Sequence, residues 1–246
     1  CGRVENNILF VKKGLTIHVY ETKKVPKLLN KVNGAQEIKS FSFSQLRELA
    51  EEVRETLIRV CAKNGGHIGT NLGVVELTIA LHYAFDSPKD KLVFDTTHQT
   101  YTHKLLTGKR ERFETICTPK GIPRLAVRAD NPHDARGAGH ASTALSGAMG
   151  MAEARKQNKK QYDVVAIVGD GAMTGGMCFE ALNNIGYNQT DLIIVLNDNK
   201  MSISPNVGAL YEYLKRLSMT STSEKPRREI GTIFEKLGIR YFGPVD

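Results

Sequence analysis

The chain has 246 residues, a formal net charge of +8, 41% hydrophobic residues and 24% charged residues. These values are typical of a globular protein that is long enough to bury a substantial core. It has no run of about 18 apolar residues, so we expect no transmembrane helix and no membrane partner. The first residues show no secretory signal pattern.

Cysteine and basic-residue spacing narrow the possible functions further. Cys1, Cys61, Cys117 and Cys178 are far apart, which excludes a Cys-x-x-Cys metal or redox motif and favours a reducing, cytoplasmic compartment. The basic clusters at 155–160 and 225–228 accompany no nucleic-acid-binding motif, so we expect no nucleic-acid partner. A positive balance of charge suits anionic phosphate substrates.

In chain order, the residue pattern of the first part of the sequence predicts an appended segment that is followed by a helical region. Residues 8–20 predict a β-hairpin around Gly14, within an N-terminal segment over 1–25 that precedes the main domain at 26–246. Residues 26–40 are polar and loop-like. A strong amphipathic helix begins near Ser44 and ends at the Gly65-Gly66 pair, and its apolar stripe is Leu46, Leu49, Val53, Leu57, Val60 and Cys61.

The remaining elements alternate between helix and strand. The pattern predicts strands at 91–95, 164–168, 192–196 and 239–242, helices at 73–83, 144–155, 176–185, 208–218 and 230–237, a mostly helical stretch at 98–117, and loops at 129–141 and 218–229. This alternation predicts an α/β fold with a parallel sheet that carries helices on both faces.

Two polar clusters follow neighbouring apolar strands. Gly169-Asp170-Gly171 ends the strand at 164–168, and Asn199 follows the strand at 192–196 after a spacer of 27 residues, positions 172–198. Ligands bind open parallel sheets at the carboxyl ends of the strands. Asp170 and Asn199 offer the oxygen ligands that Mg²⁺ takes beside a phosphate, Gly171 allows close approach, and a helix start after Gly171 favours phosphate. The alternative is that both clusters are ordinary turns at the ends of the two strands, since glycine, aspartate and asparagine are common in turns.

Histidines occur in loops that are rich in glycine, serine and threonine. His67, His98 and His140 all lie at the ends of predicted elements rather than on apolar faces. A lone histidine usually makes a structural hydrogen bond, but three in such loops favour a functional role. A zinc site is an alternative, although the spacings match no compact ligand motif. No Gly-x-Ser-x-Gly elbow or Walker-type loop is present, which argues against a hydrolase triad or a P-loop enzyme.

These motifs resemble the thiamine-diphosphate-dependent, transketolase-like 1-deoxy-D-xylulose-5-phosphate synthase family. The likeness runs from about Lys27 to the end, through segments 66–82, 98–108, 169–177, 197–204 and 243–246. The resemblance implies the diphosphate-binding domain of an enzyme that joins pyruvate to glyceraldehyde 3-phosphate with loss of CO₂, a step in isoprenoid and thiamine biosynthesis.

The resemblance also implies roles for individual residues. Mg²⁺ would be held by Asp170, Asn199 and the carbonyl of Met201. Thiamine diphosphate would be contacted by His98, Gly139, His140, Ala141, Gly171, Ala172 and Asn199. The histidines His67 and His98 would stabilise developing oxyanions and transfer protons.

The sequence departs from the family in two positions and in length. Thr97 stands where the family usually has glycine, and Ala141 stands where it usually has serine. The family's second domain, which binds the cofactor's pyrimidine and the substrate phosphate, has no counterpart here, so we expect a homo-oligomer or a second chain to be needed. The alternatives are the N-terminal subunit of a split transketolase and a non-catalytic relative that pairs with a full-length synthase.

Overall fold

The computed structural model describes residues 27–198, 206–219 and 232–243. The predicted hairpin at 8–20, most of the loop at 218–229 and two of the proposed metal ligands, Asn199 and Met201, lie outside these residues. The described chain forms two compact units. One contains residues 27–84 and 98–124, and the other contains residues 85–97 and the described residues from 125 onward.

The first unit is helical, and a long helix organises its core. Ser42 caps this helix, because its hydroxyl accepts a hydrogen bond from the backbone N–H of Gln45 while the Gln45 side chain accepts one from Ser42. The apolar stripe predicted for the helix is confirmed, since all its members are buried except the half-buried Leu46. The helices of this unit are α1 (Phe43–Asn64), α2 (Ile68–Leu72), α3 (Val75–Ala84) and α4 (Tyr101–Lys104).

Shorter turns complete this unit and correct parts of the prediction. Residues 26–40, expected to be a loop, contain the 3₁₀ turns Leu29–Lys31 and Glu37–Ser40. The glycine-rich stretch after Gly66 includes the helical turn α2. Beyond α4 the chain forms a π-type turn at Leu105–Lys109 and a 3₁₀ helix at Arg110–Thr115.

The second unit is an α/β layer around a parallel sheet. Strands β1 (Lys91–Phe94), β2 (Val164–Gly169) and β3 (Ile193–Asn197) pair in the order β1-β2-β3, and Gly169 lies opposite Asn197. Helices α5 (Ala144–Gln157), α6 (Asp170–Met173), α7 (Gly176–Asn188), α8 (Ala209–Met219) and α9 (Ile233–Lys236) accompany the sheet. This confirms the predicted α/β fold with a parallel sheet.

Two details of the second unit differ from the prediction. The helix start expected after Gly171 is instead a single short turn, α6, which begins at Asp170. The main helix α7 begins at Gly176, where the sequence predicts it, after Gly175 adopts an extended backbone. The strand predicted at 239–242 is replaced by a single bridge residue, Phe242. There Tyr241 stacks on Phe234 at 5.5 Å and donates its backbone N–H to Glu235, so this segment packs on α9. No helix in the described ranges has both the length and the apolarity needed to cross a bilayer.

Candidate functional site

The carboxylate of Asp170 lies at the carboxyl end of the central strand. Strand β2 is buried over Val164–Val168, which brings Asp170 to the sheet edge with only 4% of its surface exposed. Its Oδ2 accepts a hydrogen bond from the Asn206 amide at 2.6 Å. A buried carboxylate at this edge occupies the position where parallel sheets bind ligands.

A second carboxylate, Asp198, raises the energetic cost of ionising Asp170. Asp198 directly follows β3, which is the neighbour of β2 in the sheet. Burial and the nearby negative charge of Asp198 raise the pKa of Asp170 to about 6, against hydrogen bonding from the Gly171 backbone. A divalent cation would favour the ionised form of Asp170, so the oxygen donors present here fit Mg²⁺.

The described part of the ligand set is incomplete. Among the described residues no group of three or more His, Cys, Asp or Glu side chains could hold a metal. The predicted set contains one such side chain, Asp170, together with the Asn199 amide and the Met201 carbonyl. The metal assignment therefore stays a prediction.

The loop at 139–142 lies against the turn that carries Gly171 and Ala172. The Ser142 hydroxyl donates to the Ala172 carbonyl at 2.7 Å, and the Cys178 thiol lies 3.3 Å from the same oxygen. Gly139, His140 and Ala141 are exposed beside this contact. The two segments predicted to contact the cofactor are thus brought together within the second unit.

Asp95 fixes this loop from the end of strand β1. It is 4% exposed, and its two carboxylate oxygens accept the backbone N–H groups of Ser142 and Ala144, each at 2.9 Å. The sequence interpretation missed Asp95, Ser142, Cys178 and Asn206. Only Asp95 carried a signal, as the first polar residue after a buried strand.

The histidines predicted to act in catalysis meet in the first unit. The ring centroids of His67 and His98 are 5.6 Å apart, with an interplanar angle of 76°. Burial lowers the pKa of His67, and the positive charge of Arg124 lowers it further, so His67 is neutral near pH 7. The Nδ1 atom of His67 is buried and has no hydrogen-bond partner among the residues that the structure describes, so it is available to a ligand.

The two departures from the family pattern occupy different environments. Thr97 has a φ of +64°, a conformation that favours glycine, and it is 1% exposed. Its hydroxyl compensates by donating to the Ala138 carbonyl at 3.0 Å and accepting the Ala126 N–H at 3.1 Å. Ala141 is exposed, so its missing hydroxyl leaves no buried partner unsatisfied.

Comparison with known proteins identifies the family. A family model described as 1-deoxy-D-xylulose-5-phosphate synthase matches residues 29–233. The chain belongs to this synthase family. A synthase from Alkaliphilus oremlandii is 45% identical over 89% of this chain and 40% of its own length. One from Dehalococcoides mccartyi is 43% identical over 95% of this chain and 41% of its own length. This member of the synthase family thus spans about two fifths of the length of these relatives.

A comparison with solved structures supports the α/β fold of this member of the synthase family. A transketolase mutant from Pichia stipitis superposes with a TM-score of 0.58 at 22% identity, covering 64% of this chain and 27% of that one. At this identity the similarity concerns the fold alone. It agrees with the parallel sheet and helices described for the second unit.

Proposed function

We propose that this chain provides the diphosphate- and magnesium-binding part of a 1-deoxy-D-xylulose-5-phosphate synthase. The reaction joins pyruvate to glyceraldehyde 3-phosphate and releases CO₂, and it serves isoprenoid and thiamine biosynthesis in the cytoplasm. The observation that carries the proposal is the buried Asp170 at the end of β2, in a chain whose match to the synthase family spans residues 29–233. The main domain would be 26–246, with 1–25 as an appended segment.

The residues that the family resemblance indicates would hold the cofactor. Asp170, Asn199 and the Met201 carbonyl would bind Mg²⁺. Gly139, His140, Ala141, Gly171, Ala172 and Asn199, together with His98, would bind thiamine diphosphate. When bound, this cofactor supplies an electron sink for decarboxylation.

His67 and His98 would act on the substrate. As a neutral imidazole, His67 can accept a proton near pH 7 and return it later in the reaction. Both rings can donate hydrogen bonds to an oxygen that becomes negatively charged. The synthases that match this chain are more than twice as long as it is. We therefore propose that the active form is a homo-oligomer or includes a second chain that supplies the pyrimidine-binding domain.

Replacement of Asp170 tests the metal and cofactor assignment. In the natural full-length gene product, Asp170→Asn removes a negative oxygen ligand with little change in size, so thiamine diphosphate binding in the presence of Mg²⁺ should weaken at least tenfold by calorimetry. Chelation of Mg²⁺ should weaken wild-type binding equally. Asp163→Asn, an exposed carboxylate in the same unit, is the matched control and should bind as the wild type does.

The outcomes separate the possible functions. Unchanged affinity in Asp170→Asn would refute the metal assignment. Turnover of pyruvate with glyceraldehyde 3-phosphate supports the synthase, whereas turnover only with a ketose phosphate donor would indicate a transketolase subunit. Cofactor binding without either activity would indicate the non-catalytic relative.

A further inference from the structure

A buried amide links the backbones of the two histidines. Asn71 is 0% exposed, and its Nδ2 donates to the carbonyl oxygens of His67 and His98, each at 2.8 Å. Its Oδ1 accepts the backbone N–H of Tyr101 at 2.9 Å. One side chain therefore uses two donors and one acceptor to join segments that are far apart in sequence.

Tyr101 also holds the backbone of His67 in place. It is 0% exposed and packs edge-on against Phe113, with the ring centroids 6.0 Å apart. Its hydroxyl accepts the backbone N–H of His67 at 3.2 Å. A Cβ at Gly66, whose φ is +126°, would lie 2.7 Å from that hydroxyl, so glycine is required for this close approach. Both backbone polar groups of His67 are thus fixed by buried side chains.

We propose that Asn71 is a positioning residue that sets the separation of the His67 and His98 rings. This inference rests on the proposed function, in which both rings act on the substrate. The hydrogen bonds of Asn71 go to main-chain atoms, so they place the two backbones. His67 Nδ1, which has no hydrogen-bond partner among the described residues, stays open to a ligand. Only an amide of this length supplies both donors and the acceptor, because a carboxylate only accepts and an aliphatic chain does neither.

Asn71→Asp tests the proposal with a side chain of almost the same shape. It replaces the two donors with an oxygen that faces two carbonyl oxygens, so the His67 and His98 backbones should separate. In the full-length protein labelled with nitrogen-15 histidine, NMR should show altered ring signals for both His67 and His98. Asn71→Ala is the second variant in case Asn71→Asp fails to fold.

Two further variants make this spectroscopic test specific. Tyr101→Phe removes only the hydroxyl bonded to His67, so it should change the His67 signals and leave those of His98 unaltered. Thr56→Val removes the hydrogen bond from the buried Thr56 to the Glu52 carbonyl on α1, a bond that involves neither histidine, and both sets of signals should stay as in the wild type. Wild-type ring signals in folded Asn71 variants would overturn the proposal.

Kinetics provides the second measurement. A displacement of about 1 Å can cost on the order of 100-fold in rate, so kcat of Asn71→Asp should fall about 10- to 100-fold while KM for pyruvate changes little. Wild-type kcat in this variant would also overturn the proposal. Absence of turnover in the wild type itself would count against the proposed function, and the NMR comparison would still decide the role of Asn71.

Discussion

The two units hold their site-bearing loops with different chemical groups. In the first unit the neutral amide of Asn71 donates to two carbonyl oxygens and accepts one N–H. In the second unit the carboxylate of Asp95 accepts the N–H groups of Ser142 and Ala144. A neutral amide can satisfy both kinds of backbone group, whereas an ionised carboxylate satisfies only donors.

This difference predicts unequal energetic costs of removal. Hydrogen bonds to a charged group contribute about 1.5–3 kcal/mol each, and neutral ones contribute about 0.5–1.5 kcal/mol. The loop at 139–144 should therefore depend more strongly on one side chain than the histidine loops do. Substitutions at Asp95 and Asn71 test this comparison directly, and substitutions at Gly175 and Glu76 test weaker contacts within each unit.

The largest effect is expected at Asp95. Asp95→Ala leaves the N–H groups of Ser142 and Ala144 without their acceptor, so the free energy of unfolding should fall by about 3 kcal/mol or more in chemical denaturation. Asp163→Ala, an exposed carboxylate in the same unit, should change it by less than about 0.5 kcal/mol. If Asp95→Ala is no more destabilising than Asn71→Ala, the comparison between the two loops is wrong.

A smaller effect is expected at Gly175. A Cβ there would lie 2.1 Å from the Ser142 hydroxyl oxygen, so Gly175→Ala should displace Ser142 from Ala172 at a cost of about 1–2 kcal/mol. At the adjacent Gly176 a Cβ would meet nothing within 4 Å. Gly176→Ala should be neutral or slightly stabilising, since Gly176 begins α7 and alanine favours helix. Equal thermal stability of the two variants would contradict this account of the loop.

The smallest effect is expected at the ion pair between α1 and α3 in the first unit. Hydrogen bonding from the Arg54 guanidinium lowers the pKa of Glu76 below its usual 4.5. The Glu76 side chain is 61% exposed, so solvent screening limits the pair to less than about 1 kcal/mol.

Acid titration of stability measures this contribution. Because the folded-state pKa of Glu76 is lowered, the stabilisation is present above about pH 4.5 and disappears as the pH falls through the folded-state value. The difference in unfolding free energy between wild type and Glu76→Gln should follow that course. A difference that grows on acidification would show that the assigned sign is wrong.

The sheet and its edge could be predicted from the sequence, whereas the side-chain hydrogen bonds that hold the loops in place could not. The apolar run of β2 indicated a buried strand, and a parallel sheet then brings Asp170 to its carboxyl edge. Asn71 reaches His98 across 27 positions and Asp95 reaches Ser142 across 47, distances at which local patterns carry no information. In the sequence, Asn71 is one polar residue of a glycine-rich segment, and nothing nearby indicates that its amide bonds to the carbonyls of His67 and His98.

Thr97 illustrates how a local rule is overridden by tertiary contacts. A left-handed backbone favours glycine, and Thr97 stands where the family usually has glycine. Thr97 nevertheless adopts the left-handed conformation, and hydrogen bonds from the threonine hydroxyl to Ala138 and from Ala126 stabilise it. Such compensation depends on residues that are far from Thr97 in the sequence.

The thiol of Cys178 offers a way to time the opening of the loop at 139–142. Burial raises its pKa to about 11, and the negative charge of Asp95 contributes, so the folded state protects it from alkylation. It lies within reach of the carbonyls of both Ser142 and Ala172, so modification requires these segments to separate. The rate at which an alkylating reagent labels Cys178 would then report how often this half of the site opens spontaneously.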